Sequence, residues 1–272
     1  MGLIIIPCAL TDDAALTSTP AAVAGLGPDN LKLSDRGLIW RVLGDTASVS
    51  VELPAIRRIG GIVLWRHTLT SQATWRVRIW SGAAQTGEQT YDSGVVQAVP
   101  PKALGDLDWG IDPLGASIDG QDFSPLILPG NVVARSMLID ITDTGAAQIN
   151  VGRLFAGEAV APEVTFGWGS SVTWERNRRA TRTASGGLRV ESDPPYRVLR
   201  IELAHITPDE RRIFADLLRD TGNAREAWIS ARHGEGGRFE SDHALLGYLV
   251  DNPALTREQG VRYTLPIQIE ES

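Results

Sequence analysis

Alternation of apolar and polar side chains governs the first half of the chain. In SVSVEL, Val49, Val51 and Leu53 fall on one face and Ser48, Ser50 and Glu52 on the other. In TWRVRIW, Trp75, Val77 and Ile79 separate from Arg76 and Arg78. Such a period of two predicts half-buried strands, and GLIWRVL at 37–43, IGGIVLW at 59–65 and VVARSMLIDI at 132–141 add three more. The links between them are rich in Gly, Pro, Asp and Ser, and no amphipathic helix of ordinary length interrupts them. Residues 1–152 are therefore expected to form an antiparallel β-sandwich rather than a parallel α/β fold. A long link at about 100–131, with Trp109 as its expected anchor, is either functional or packed by a partner.

The pattern changes beyond residue 152. YRVLRIELAH predicts a strand with Leu199, Ile201 and Leu203 inward, and TPDERRIFADLLRDTG then predicts a helix. Thr207 is its N-cap, Pro208 its first residue and Glu210 the partner in a capping box. Ile213, Phe214, Leu217 and Leu218 form its apolar stripe, and Gly222 stops it. AWISAR, ALLGYLV and VRYTLPIQIE follow as strands, and Pro266, which has no N–H to give a ladder, assigns the last one to an edge or a bulge. Residues 153–272 thus read as an α+β unit, one capped helix on an antiparallel sheet, and the whole chain as mainly β.

Composition narrows the chemistry. The 272 residues suit two cores. No apolar run reaches the roughly 18 to 20 residues of a membrane span, and the amino terminus lacks the basic and long apolar regions of a secretory leader, so synthesis in the cytoplasm without membrane insertion is expected. The single cysteine, Cys8, leaves no internal disulfide framework. A net charge of −7 speaks against general nucleic-acid binding. Arginine nevertheless outnumbers lysine 24 to 2, and eight tryptophans exceed five phenylalanines, the residue types favoured at interface hot spots. Arg176, Arg178, Arg179, Arg182, Arg189, Arg197 and Arg200 face only Glu191 and Asp193 in the segment 176–200. That basic arm suits an acidic face on another copy, although a solvated loop without a partner has the same sequence signature.

No phosphate loop, HExxH, GxSxG or dinucleotide fingerprint occurs, and no cofactor, metal or catalytic residue is assigned. His67, His205, His233 and His243 are scattered, and the two that flank the Gly-rich GEGGRFESD, His233 and His243, read as surface residues rather than metal ligands. Asp143-Thr144-Gly145 matches the short aspartic-protease signature, but without a second copy it reads as the turn that ends a strand. Acids such as Glu88 and Asp92 carry no spacing that implies glycoside hydrolysis. Trp40, Trp80 and Trp109 could form a sugar-stacking platform at the loop end of the sandwich, against the reading that most tryptophans lie in a core or an interface.

The order VSVELPAIRRIGGIVLWRHTLTSQATWRVRIWS, then YDSG at 91–94, then INVGRLFAGEAVAPEVTFGWG resembles tail proteins of long, non-contractile-tailed bacteriophages and related prophages. The likeness runs over nearly the whole chain, best at 58–94 and 149–203. It implies a discoidin or galactose-binding-like jelly roll in 1–152 and a ring-forming part in 153–272, in the reverse of the order usual for distal tail proteins. It further implies a structural component of the virion tail tip in a homo-oligomeric ring of six copies. Tube, hub and fibre proteins would be its partners, and Trp168, Trp174, Arg176, Arg178, Arg179 and Arg182 would be an intersubunit arm. The alternative is a carbohydrate-binding tail module that contacts a host surface glycan.

Overall fold

A computed structural model describes residues 2–100, 102, 104–112, 122–164, 170–235, 237–251, 253–257 and 262–272. In chain order the strands are β1 (Gly2–Ile6), β2 (Ala15–Thr19), β3 (Trp40–Leu43), β4 (Thr46–His67), β5 (Thr74–Trp80), β6 (Gln89–Asp92), β7 (Val96–Gln97), β8 (Phe123–Thr142) and β9 (Gln148–Gly157). Beyond them come β10 (Ser171–Glu175), β11 (Arg178–Arg182), β12 (Leu188–Ser192), β13 (Tyr196–Ile206) and the helix α1 (Pro208–Thr221). The chain closes with β14 (Glu226–His233), α2 (Gly237–Asp242), β15 (Ala244–Leu249), β16 (Thr256–Arg257) and β17 (Tyr263–Glu271). The protein is mainly β, and its strand pairs are antiparallel, as the alternation predicts.

The expected strands at 48–53 and 59–65 are one strand. β4 runs for 22 residues, with an exposed bend at Pro54–Arg58, and β8 for 20 beside it. The first half of β4 pairs with β2 and with the second half of β8, which continues to β5, β6 and β7. Its second half pairs with β9 and with the first half of β8, while β9 carries β3. Two long strands thereby serve both layers of the sandwich, and the last nine positions of the link expected at 100–131 belong to β8 itself. Val49, Val51 and Leu53 meet Ile62, Leu64, Val151 and Leu154 in its core.

Within the layer built from β3, β9, β4 and β8, the second half of β4 and nearly all of β9 are buried on both faces. Ile62 and Leu64 point into the sandwich core, whereas Val63, Trp65, Phe123 and Phe155 join a second core. This explains why GGIVLW and NVGRLFAG are nearly unbroken apolar runs: a strand buried on both faces loses its period of two. The second core is completed by Leu3–Ile6, by the sheet ordered β1-β14-β15-β17-β13-β10, and by Phe214 and Leu217 of α1. The amino-terminal strand therefore belongs to the carboxy-terminal sheet, through Ile4↔Ser230 and Ile6↔Trp228, and β9 runs through the 152/153 position. Gly61 and Gly157 face each other across the ladder, and Ile6 sits against them. A Cβ on Gly61 would lie 2.5 Å from its Cδ1, and one on Gly157 only 2.4 Å from the Cys8 carbonyl.

The helix matches its capping signals, while Ile213, counted in its apolar stripe from sequence, is 49 % exposed. Thr207 accepts from the Glu210 N–H, the Glu210 carboxylate accepts from the Thr207 N–H, and Gly222 closes the end at φ 51°. Pro266 corrects one expectation. β17 lies inside the sheet between β15 and β13, and Val261, counted in that strand from sequence, lies outside the described residues. On one side β16 pairs Tyr263 and Thr264 while β15 pairs Ile269 to Glu271, so Pro266 occupies the gap between them, where no N–H is asked for.

Candidate recognition surfaces

The three tryptophans considered for sugar stacking are not brought together as a platform. Trp40 is wholly buried, two residues from the equally buried Val42 on the same strand face, and is a core residue. Trp80 lies half-buried on the outer face of β5 under the Arg78 guanidinium, 5.9 Å from its ring, and Arg78 is itself anchored to Asp140 at 2.6 Å. Trp109 is 80 % exposed in the turn that follows residues 104–106, and Ile111 beside it is 82 % exposed. That turn is held from beneath. Asp112 accepts from Lys102 Nζ at 2.8 Å and from the Asp108 N–H at 3.0 Å, and the lysine, then the Asp108 amide, hold its carboxyl below the usual range. Residues 113–121 of the same link lie outside the described residues.

The arginine segment forms an arm. β10 pairs with β13 from Ser171↔Arg200 to Glu175↔Tyr196, and β11 continues the same hairpin with β12 from Arg178↔Ser192 to Arg182↔Leu188. The tip turns at 183–187, with Gly186 at φ 83°. Among the described residues β11 and β12 pair only with each other, and all ten of their residues are exposed over about 17 Å of ladder, at roughly 3.3 Å per residue. Register divides the faces. Ala180, Val190 and Leu188 share one with Arg178 and Arg182, whereas Arg179, Thr181, Arg189 and Glu191 occupy the other. Trp174 on β10 is exposed and Arg176 lies where the arm leaves the sheet, while Trp168 lies outside the described residues.

The groups that suggested chemistry have structural partners. Asp143 is buried and accepts from the Thr70 N–H and hydroxyl, which fixes the turn after β8. His67 is buried with Nδ1 accepting the Leu69 N–H, so Nε2 carries the proton and donates to Ser124 Oγ at 2.7 Å, and Ser124 donates to the Ala98 carbonyl. Burial lowers the His67 pKa to about 4. His233 Nδ1 meets Glu240 at 3.1 Å and His243 Nδ1 meets the Phe239 carbonyl. Asp92 pairs with Arg76 at 2.6 Å and is held far below its ordinary pKa by that guanidinium.

A polar cleft where the two cores meet was not anticipated. Arg153, its side chain 4 % exposed on β9, donates to both Asp12 oxygens at 2.7 and 3.1 Å and to Glu226 Oε2 on β14. One signal existed in the sequence: a lone arginine inside the apolar run NVGRLFAG implies a buried ion pair. Tyr248 reaches across the cleft to Ser34, its hydroxyl 3.3 Å from Ser34 Oγ, and Arg36 and Arg66 both donate to the Ser272 carbonyl.

No family model and no curated protein sequence matches this chain. Solved structures resemble about half of it at very low identity. A fucose-bound GH29 fucosidase of Ruminococcus gnavus is 8% identical with a TM-score of 0.40, over 56% of this chain and 27% of that one, so the match spans about a quarter of the enzyme. The chitosan-binding module 1 of a chitosanase/glucanase from Paenibacillus sp. IK-5 is 11% identical with a TM-score of 0.39, over 54% of this chain and 97% of the module. The galactose-bound family 32 carbohydrate-binding module of Clostridium perfringens NanJ is 8% identical with a TM-score of 0.38, over 56% and 98%. The fold itself is mainly β, an antiparallel sandwich joined to a second antiparallel sheet that carries one capped helix.

Proposed function

We propose that this chain is a carbohydrate-recognition protein without a reaction of its own, in which the sandwich engages a surface polysaccharide through the Trp109 turn. The observation that carries this reading is the exposure of Trp109, an aromatic face turned to solvent on a loop fixed by the Lys102, Asp108 and Asp112 contacts. Indole faces stack on the apolar faces of sugars, and a turn fixed beforehand spares the ordering cost of binding. Asp108, next to it, is exposed and can accept hydroxyl donors. Trp109→Ala weakens polysaccharide binding by about tenfold, or about 1.4 kcal/mol, the order expected for loss of one stacked face. Affinity electrophoresis in gels cast with bacterial envelope polysaccharides measures it. Retardation that is equal for both proteins, or missing in every gel, removes the reading.

A second reading, compatible with the first, is favoured by the arm: the chain assembles into the tail tip of a phage virion as a ring of copies, with the sandwich directed outward. A two-stranded hairpin is marginal in water by itself, and one with no buried strand residue is stabilised when another surface covers it. Segment 176–192 has five arginines and one glutamate, a net +4, so the other residues carry −11 of the formal −7. Arg178→Glu with Arg182→Glu reverses the charge beside the apolar face of the arm and leaves the monomer folded. Mass photometry then finds the wild type as closed oligomers at low salt and the variant as monomers. Identical oligomers from both proteins, or a wild-type chain absent from tail particles, defeats this reading.

A further inference from the structure

A cavity lies at the seam where β7 and the start of β8 meet the end of β14 and α2. Its volume is about 220 Å³. That is several times the roughly 30 Å³ share of one water and below the roughly 300 Å³ at which sites for drug-sized ligands begin, so it fits one small molecule. From the sandwich, Pro100, Phe123 and Pro125 line it with carbon. From the other unit come His233, the last residue of β14, and Glu240 and Ser241 of α2.

Local hydrogen bonds fix what the polar wall offers. Glu240 meets His233 Nδ1 at 3.1 Å through one carboxylate oxygen and accepts the Gly234 N–H at 3.1 Å through the other. A carboxylate only accepts, so Nδ1 carries the proton and Nε2 of the neutral ring is a lone-pair acceptor. Nε2 has no hydrogen-bond partner among the described residues, and Ser241 spends only its backbone carbonyl, on Arg197 Nη1 at 2.9 Å. Neither Nε2 nor Ser241 Oγ is shut away from solvent. Ser241 is 8 % exposed, and the little surface it keeps borders the cavity. Glu240 is the one formally charged side chain among the described lining residues. An anion would meet that carboxylate, and a cation would find both of its oxygens already engaged. The unused functions are an imidazole acceptor and a hydroxyl beside proline rings, which suit a neutral molecule with hydroxyl donors and an apolar face. We propose that the cavity binds a single pyranose, whose hydroxyls donate to His233 Nε2 and pair with Ser241 Oγ while its apolar face lies against Pro100 and Pro125. The choice of a sugar rests on the carbohydrate reading above, and the hydroxyl chemistry rests on the cavity itself.

Saturation-transfer NMR of the full chain with the methyl pyranosides of glucose, galactose and mannose tests the site. At least one of the three binds. The matching uronate binds at least tenfold more weakly, because Glu240 repels it, and the matching amino sugar binds no more tightly. The His233 Nε2 resonance, assigned as the one lost in His233→Phe, shifts when the glycoside is added. Ser241→Ala and His233→Phe each raise the dissociation constant about tenfold, the loss of one hydrogen bond in a closed site, whereas Trp109→Ala leaves it unchanged. No transfer from any of the three glycosides, a uronate or an amino sugar bound more tightly, an unmoved Nε2 resonance, or full affinity in both variants overturns the proposal. Glycosides that bind a chain whose polysaccharide retardation ignores Trp109→Ala would sink the Trp109 reading and leave the cavity standing. Retardation that depends on Trp109 without any glycoside binding would do the reverse.

Discussion

His67 shows what burial does to a single residue. Its ring lies 5 % exposed between Leu69 and Ser124, and every polar atom is used in one direction: Leu69 N–H to Nδ1, Nε2–H to Ser124, Ser124 to Ala98. Burial takes the imidazolium out of water, so the charged form is disfavoured and the pKa falls to about 4. The unfolded chain takes up this proton near pH 6.5 and the folded one only near 4. Stability therefore falls as pH drops between those values, by about 1.4 kcal/mol per unit and on the order of 3 kcal/mol in all. Denaturant titrations at pH 7, 5.5 and 4.5 measure that slope, and His67→Gln flattens it. The sequence showed a histidine and no more, because a lone imidazole carries no mark of its depth. Trp40 and Trp80 were grouped from sequence as one sugar-stacking platform, whereas the structure puts Trp40 on the inner face with Val42 and Trp80 on the outer face with Arg76 and Arg78.

At the scale of elements, α1 was the most legible because its ends are written in local chemistry. Thr207, Pro208, Glu210 and Gly222 each act within a few residues of their own position, so no distant partner can overrule them. Thr207→Ala removes the cap and costs about 1 kcal/mol, read as an equal loss in denaturant unfolding with the m-value unchanged. The strand ends were harder to see. SVSVEL and IGGIVLW were read as two strands, yet β4 passes through Pro54–Arg58 with those residues exposed, since the ladder to β8 resumes at Arg57↔Ala134. Pro266 misled in the other direction, because a gap between β15 and β16 gives an interior strand the same tolerance as an edge. The arm was visible as an arginine cluster, but its division into an apolar-bordered face and a charged face depends on the register across a turn that composition does not encode.

Across the whole molecule, the layer of β3, β9, β4 and β8 contributes Ile62 and Leu64 to one core and Val63 and Trp65 to the other. The two units therefore unfold together. Arg153 binds them further, bonding Asp12 and Glu226 from a strand of the shared layer. Arg153→Met strands both carboxylates, Glu226 buried and Asp12 at the cleft, and is expected to cost about 3 to 5 kcal/mol. Calorimetry should record a single transition moved to lower temperature. Two separate transitions, with only one displaced, would contradict the shared layer. Sequence reading divided the chain at 152 because the grammar of periods changes there, but periodicity reports how wet a face is and not which neighbour dries it. β1 brings a heritable consequence. Gly2–Ile6 form a strand whose ladder partner is β14, more than 200 residues downstream, with a further bridge from Ile5 to Val160. Recombination that exchanges the sandwich between related genes would therefore deliver a mismatched strand to the recipient's other sheet, unless the crossover lies after Cys8. Diversification of the sandwich is then confined to cassettes inserted between segments that the other sheet holds fixed.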